Sequence, residues 1–339
     1  MRTLQRRLEM LRSSFVTTPV VTLADDALDL HAKLEFSNPN GSAKDRSAFW
    51  ILKQAVERGD ITPATMVVES SSGNFAISMA SFCRSLGLSF VPVIDPNCNS
   101  STESYLHTLC DRVEKVTEPD GVGGHLRTRL RRVEELRAEL PGAYWPNQYV
   151  NPDGMTAHYR LTGGELCRRF RRIDFLFVGV STGGTIAGLS ARVKESYPGA
   201  TVVAVDADGS AIFGATGPPR RIPGLGSGIV PPLCDRALID DVVIVPEADA
   251  VAGCHALFHR HGLFAGGSTG SVYSAIGRYF RERPALTAGG ARPTVVFLCA
   301  DRGTAYLDTV YDPAWVARHY PQNLSVPDVP AMAGWKEPV

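Results

Sequence analysis

A lysine that directly follows a tight turn is the first candidate for chemistry in this sequence. Lys44 lies in the segment 38–46, where Pro39 and Gly41 favour a turn and Ser42 can cap a helix expected over residues 43–57. In the first turn of a helix, the helix dipole lowers the cost of a neutral amine. Only a neutral amine can form an imine, so Lys44 is a candidate for covalent catalysis. On spacing alone, a solvent-exposed lysine at a helix start explains the segment at least as well.

A second candidate is the Ser- and Gly-rich turn at residues 69–74, between a strand-like and a helix-like stretch. Successive backbone N–H groups in such a turn form a nest for an anion. A substrate carboxylate would fit there, with the hydroxyl groups of Ser71 and Ser72 as further donors. The Asn74 amide could donate to a phenolic oxygen. An ordinary N-capping turn remains the alternative.

Two further glycine-rich turns occur at residues 178–185 and 264–270. In the first, Gly183 and Gly184 let the backbone close on a phosphate at a helix N-terminus. A dinucleotide-binding turn or a plain strand-to-helix turn is the alternative. The GxGxxG spacing is not met and no acidic ribose-binding residue stands out, so the sequence favours a phosphate monoester.

The elements that must position these turns alternate along the chain. Strand-like stretches occur at 65–69, 88–94, 175–180, 202–206, 242–245 and 295–299, and helix-like stretches at 76–86, 186–197 and near Trp315. This alternation predicts an α/β fold with mainly parallel sheets and helices on both faces. Ligands in such folds bind at the carboxyl ends of strands, where the turns at 70–74, 181–185 and 266–270 lie.

Composition narrows the functional class. The 339 residues carry a formal net charge of zero, which argues against nucleic acid or an acidic membrane as the main partner. No apolar run reaches the roughly 18 residues of a membrane span, and the N-terminus lacks the apolar stretch of a signal peptide. The seven cysteines form no CxxC pair, so no metal site is expected. We therefore expect a cytoplasmic protein with buried free thiols.

All four motifs in this order resemble those of the cysteine synthase family, fold type II enzymes that use pyridoxal phosphate (PLP) to replace the β-substituent of serine derivatives. The resemblance runs from Thr18 to Asp308. It implies that Lys44 carries PLP as a Schiff base and that Ser268 bonds the pyridine nitrogen. A hydroxyl partner leaves that nitrogen largely unprotonated, which suits β-elimination better than transamination.

The resemblance also implies the remaining site residues. It assigns the PLP phosphate to Ser181, Thr182, Gly183, Gly184 and Thr185. It assigns the substrate carboxylate and the PLP oxygen to Ser71, Ser72, Gly73, Asn74 and Phe75. It further implies two doubly wound α/β domains with the cofactor between them: a large domain of residues 1–41 and 148–320, and a small mobile domain of residues 42–147. Residues 321–339 are expected to be a loose tail, and the protein to be a homodimer.

Two positions depart from a plain cysteine synthase. Ser181 replaces a usual glycine, and Tyr149, after Gln148, replaces a usual phenylalanine, so both add a hydroxyl near the cofactor. Sulfide gains nothing from extra donors, whereas a larger nucleophile with a carboxylate would gain from them. Neutral drift is the alternative.

A run of arginines, at 127, 129, 131 and 132, is the third departure. Side chains two apart on a helix face differently, so not all can reach the cleft. Arg129 is our candidate for a bidentate carboxylate clamp, with Gln148, Tyr149 and Ser181 as further substrate contacts. A solvated helix face explains the arginines equally well.

These departures resemble a branch of the family that makes precursors of 2,3-diaminopropionate for siderophores. That resemblance implies O-phosphoserine and glutamate as substrates and a downstream dehydrogenase as a functional partner. A true cysteine synthase that uses sulfide is the nearest alternative, and a non-catalytic scaffold or sensor on the same fold is an alternative of another class.

Overall fold

The described residues form two β-sheets, one of six strands and one of three. The computed structural model describes residues 2–121, 124–214, 217–290 and 292–321. The six-stranded sheet has the order β1-β2-β9-β6-β7-β8, with β1 Val20–Leu23, β2 Asp29–Leu34, β6 Phe175–Gly179, β7 Thr201–Ala207, β8 Asp241–Val245 and β9 Thr294–Cys299. The three-stranded sheet has the order β3-β4-β5, with β3 Met66–Ser70, β4 Ser89–Ile94 and β5 Glu114–Lys115. Every neighbouring pair is parallel except β1 and β2.

Helices connect most of the strands, and one further helix lies at each end of the described chain. They are α1 Arg2–Arg12, α2 Lys44–Arg58, α3 Asn74–Leu86, α4 Ser100–Leu109, α5 Leu126–Glu139, α6 Pro152–Ala157, α7 Gly164–Arg169, α8 Gly184–Ser196, α9 Glu247–His261, α10 Gly267–Glu282 and α11 Pro313–His319. A π-helical turn, His158–Gly163, joins α6 to α7. Among the residues that the structure describes, no helix is both long and apolar enough to cross a membrane.

Both faces of the large sheet are covered. On β6, Phe177 packs with Val272 of α10, whereas Leu176 and Val178 pack with Leu189 of α8 on the opposite face. A strand buried on both faces reads as a continuous apolar run, which is why β6 has the sequence FLFVG. The predicted α/β class with mainly parallel sheets is confirmed.

The smaller sheet lies entirely within the segment expected for the small domain. Its core joins Val67 of β3 to Phe49 of α2 and Phe82 of α3. Helix α1 differs from the expected division, because its buried Leu4 and Leu8 belong to this same core. An amphipathic helix packs where its apolar stripe finds a partner, and here that partner is the small sheet.

The predicted strands and helices near the turns agree with the observed ones to within two residues. The largest shifts are at α3 and α8, which begin two residues earlier than expected, whereas α2 begins one residue later, at Lys44, with Ala43 as its N-cap residue. Ser42 still braces this end, because its hydroxyl accepts a hydrogen bond from the Lys44 backbone amide at 3.3 Å. Residues 322–339 of the expected tail lie outside the described residues.

Candidate active site

The four turns meet around one cleft of about 370 Å³, and a smaller cavity of about 40 Å³ continues from it. Four predicted site residues line both the cleft and the smaller cavity: Lys44, Ser181, Thr182 and Ser268. The turns come together because each follows a strand of a parallel sheet or opens the helix behind it. The sequence-predicted residues are therefore brought to a single site.

Lys44 opens α2 at the base of the cleft. Burial lowers the pKa of its amino group, and the nearby Asp301 carboxylate opposes that shift. In the described part of the chain, the Lys44 amino group donates to no acceptor. A desolvated, unpaired amine is available as a nucleophile and base.

The glycine-rich turn after β6 forms a backbone cradle. Gly183 caps α8 with a φ of +85°, and a Cβ at this position would lie 2.8 Å from the backbone N of Cys234. Within the described ranges we find no protein acceptor for the amides of residues 182–184. Thr185 lines the smaller cavity and shares a 3.2 Å hydrogen bond with Nε2 of the buried His158. Free amides at the start of a 13-residue helix suit a dianionic phosphate.

In the turn between β3 and α3, two serine hydroxyls accept hydrogen bonds from backbone amides. Ser71 Oγ accepts from the Ala76 amide at 3.2 Å, and Ser72 Oγ accepts from the Asp95 amide at 3.0 Å. Each hydroxyl keeps its hydrogen for a ligand. Gly73 is the N-cap residue of α3. This turn suits a carboxylate, as the sequence predicts.

Asn74 and Phe75 are more constrained than the sequence indicates. Asn74 Nδ2 donates to Asp301 Oδ2 at 2.7 Å, so one amide hydrogen is already used. The Phe75 side chain is buried in the core of the small sheet, so it contributes to the cleft through its backbone.

A comparison with protein families agrees with this geometry. A family model described as "Pyridoxal-phosphate dependent enzyme" matches residues 12–301. The chain belongs to this family of PLP-dependent enzymes. The predicted family is thereby confirmed, and PLP is the cofactor of this protein.

Individual relatives of this PLP-dependent enzyme are similar along most of its length. It is 45% identical to the N-(2-amino-2-carboxyethyl)-L-glutamate synthase of Ralstonia nicotianae over 89% of both chains. It is 41% identical to the synthase of the same name from Cupriavidus metallidurans, over 86% of this chain and 84% of that one. Among solved structures, it is similar to an O-acetylserine dependent cystathionine β-synthase from Helicobacter pylori, with a TM-score of 0.78 at 25% identity, covering 88% of this chain and 97% of that one.

The structure by itself shows that the site of this PLP-dependent enzyme has groups that match those of the cofactor. Three kinds of group have no hydrogen-bond partner among the described residues: the Lys44 amine, the Ser268 hydroxyl and the amides of residues 182–184. They correspond to the aldehyde, pyridine nitrogen and phosphate that PLP would present. The individual roles given to Lys44, Asn74, Ser268 and the turn 181–185 stay predictions, and the structure supplies the space and the free groups for them.

The arginines considered as substrate contacts differ in their exposure and in their ion pairs. Of the four arginines at 127–132, Arg129 lines the cleft, Arg127 and Arg131 are exposed, and Arg132 pairs with Glu114 and Glu139. Arg129 itself forms an ion pair with Asp95 at 2.8 Å. An arginine held this way is oriented, and its remaining donors can still meet a ligand.

The two hydroxyls that depart from a cysteine synthase differ in their environment. Tyr149 is buried at the cleft wall beside Arg129, and burial raises the pKa of its phenol. Ser181 Oγ donates to the Gly226 backbone oxygen at 3.0 Å, so its hydrogen is used within the protein. Gln148 Nε2 donates to the Ser70 backbone oxygen at 3.2 Å, which leaves its carbonyl group for a ligand.

Sequence reasoning missed three charged residues of this site. Asp301 is buried, and its carboxylate accepts from Asn74 and from the Tyr306 hydroxyl at 2.9 Å. Glu69 is buried beneath the 70–74 turn, where burial raises its pKa to about 7 against the hydrogen bond from Trp145. Arg220 lines the cleft on the loop 217–228. The sequence carries the residue types, but no local pattern marks them.

Proposed function

We propose that this enzyme replaces the phosphate of O-phospho-L-serine with the amine of L-glutamate and forms N-(2-amino-2-carboxyethyl)-L-glutamate. The observation that carries the proposal is the 45% and 41% identity to synthases named for this product, across most of the chain. The cleft supports it, because it holds an unpaired lysine, a backbone phosphate cradle and cationic side chains together.

In this proposal the chain's own residues divide the work. PLP, when bound through Lys44, withdraws electrons from the substrate Cα, which acidifies its proton and lets the β-substituent leave. The Lys44 amine removes the Cα proton and later returns it, and burial favours the neutral form that this requires. Residues 71–74 hold the substrate carboxylate. The Ser268 hydroxyl would be the neutral hydrogen-bond partner of the pyridine nitrogen.

Glutamate would approach from the side of the cleft that Tyr149 occupies. Arg129, Gln148, Tyr149 and Ser181 are the proposed contacts for this second substrate. Because the reactive species would hydrolyse in water, we propose that residues 42–147 close on the rest of the chain. Contacts between these parts already exist: Asn99 Nδ2 donates to the Ala305 oxygen at 2.7 Å and Ser100 Oγ to Asp308 at 3.2 Å.

The wider setting is also part of the proposal. The product is a secondary amine, and its cleavage to 2,3-diaminopropionate requires oxidation of a C–N bond, so a dehydrogenase would act next. We propose that the enzyme is a homodimer and acts in the cytoplasm, as the family resemblance implies.

Product mass tests the proposed reaction. The enzyme is supplied with PLP and O-phosphoserine, and then with either glutamate or sulfide. We expect the mass of the glutamate adduct and stoichiometric phosphate, and no product from Lys44→Ala. Cysteine as the preferred product would make the chain a cysteine synthase. Absence of both products, with no phosphopyridoxyl group on Lys44 after borohydride reduction, would favour a scaffold.

A further inference from the structure

The loop 217–228 places Arg220 at the cleft that Arg129 also lines. We propose that Arg220 binds one of the two carboxylates of the acceptor amino acid and thereby selects a dicarboxylic acceptor. This inference rests on the proposed function and adds to it a residue that determines specificity.

Most N–H groups of the Arg220 guanidinium have no acceptor among the described residues. Its Nη1 donates to the Leu225 backbone oxygen at 2.6 Å, and this is its only hydrogen bond to a described residue. Asp206 and Glu247 act on it only through space, since neither forms a hydrogen bond with it. Burial lowers the pKa of Arg220, because the cation loses water without gaining a paired anion. A half-buried guanidinium in this state favours an incoming anion.

The surroundings of Arg220 are shaped to hold it. Gly226 has a φ of +74°, and a Cβ there would lie 2.5 Å from Arg220 Nη1. The glycine therefore lets the guanidinium lie against the backbone of residues 225–226. Ser181 fixes the same stretch through its hydrogen bond to the Gly226 oxygen. The serine that departs from a cysteine synthase thus supports the position of Arg220.

The position of Arg220 points to the acceptor. Tyr149, Arg129 and Arg220 line the same cleft, and both arginines lie within electrostatic reach of the phenol. Arg129 already has a carboxylate partner in Asp95, whereas Arg220 has none among the described residues. Glutamate brings two carboxylates besides its attacking amine. Two cations suit such an acceptor, and sulfide would use neither.

The test compares Arg220→Ala with Arg236→Ala and wild type. Arg236 is the control because it is exposed and does not line the cleft, whereas Arg221, next to Arg220, does. Glutamate, glutamine (no side-chain carboxylate) and 4-aminobutyrate (no α-carboxylate) are the acceptors. For Arg220→Ala we expect KM for glutamate to rise about 10- to 100-fold, the range for hydrogen bonds to charged groups. The disadvantage of one analogue relative to glutamate should disappear, while Arg236→Ala matches wild type.

The outcomes separate this inference from the proposed function. If wild type makes no glutamate adduct, the proposed function is wrong and the inference falls with it. If wild type makes the adduct and Arg220→Ala still discriminates against both analogues, the inference alone is wrong. A rise in KM for O-phosphoserine without one for glutamate would assign Arg220 to the leaving phosphate and also overturn it. Glutarate binding, measured by calorimetry, should weaken in Arg220→Ala and gives a readout that does not depend on turnover.

Discussion

At the scale of single residues, Lys44 and Asp301 form the central electrostatic pair of the site. Burial lowers the pKa of Lys44, and the Asp301 carboxylate limits that shift. Burial raises the pKa of Asp301, whereas hydrogen bonds from Asn74 and Tyr306 favour its charged form. Asp301 thus balances the charge of the lysine and orients the asparagine at the same time.

Removal of the Asp301 charge should make Lys44 more reactive at low pH. In Asp301→Asn the amide oxygen can still accept from Asn74, but the carboxylate no longer favours the protonated amine. We therefore expect the pKa of Lys44 to fall further below its ordinary value. The measurement is the pH profile of Lys44 labelling by an amine reagent in the cofactor-free protein, read by peptide mass. Asp111→Asn, an exposed change of the same charge, should leave the profile in place, and an upward shift in Asp301→Asn would contradict the prediction.

At the scale of elements, the turn between β6 and α8 depends on backbone conformation more than on side chains. The left-handed φ of Gly183 turns the chain so that the amides of residues 182–184 stay free. The backbone of Cys234 packs directly against this glycine. The predicted phosphate site, built from these amides, should therefore be sensitive to one added methyl group.

We expect Gly183→Ala to weaken PLP binding by about tenfold or more, because a left-handed alanine costs about 1–2 kcal/mol before the clash with Cys234 is counted. Titration of the protein with PLP, followed by absorbance, measures the affinity. Gly199→Ala is the control, since a Cβ there meets no atom within 4 Å and its φ is not left-handed. Equal PLP affinity in the two variants would show that the turn tolerates a side chain.

At the scale of the whole molecule, a buried ionic network joins the start of α2 to the large sheet. Arg46 Nε pairs with Glu35 and Nη1 with Glu165, both at 2.7 Å, and Lys33 also pairs with Glu165. The side chains of all four residues are at least 93% buried. Because Arg46 lies two residues after Lys44, the network fixes the helix turn that carries the lysine.

Loss of Arg46 should destabilise the fold strongly. Arg46→Met leaves the two buried carboxylates, Glu35 and Glu165, with Lys33 as the one cation in the network, and we expect a loss of about 3–5 kcal/mol in the free energy of unfolding. Arg58→Met removes an exposed arginine from the same helix and its pairs with Asp60 and Asp153, and it should cost about 0–1 kcal/mol. Denaturant unfolding of both variants gives the comparison. Similar midpoints and slopes for the two would contradict a structural role for the network.

The sequence by itself determined the α/β class and the positions of the four turns, and it singled out the lysine that is predicted to hold PLP. These features depend on neighbours in the chain: the apolar run of β6, the capping residues before α2 and the glycines before α8. Only the tertiary structure decided which charged groups share the cleft. Asn74 meets Asp301 across 227 residues, and Trp145 meets Glu69 across 76. Such partners leave no periodic mark, because a hydrogen bond depends on where two segments pack and not on their spacing. For the same reason the extra hydroxyl of Ser181 was visible in the sequence, but its acceptor, the Gly226 backbone oxygen beside Arg220, was visible only in the fold.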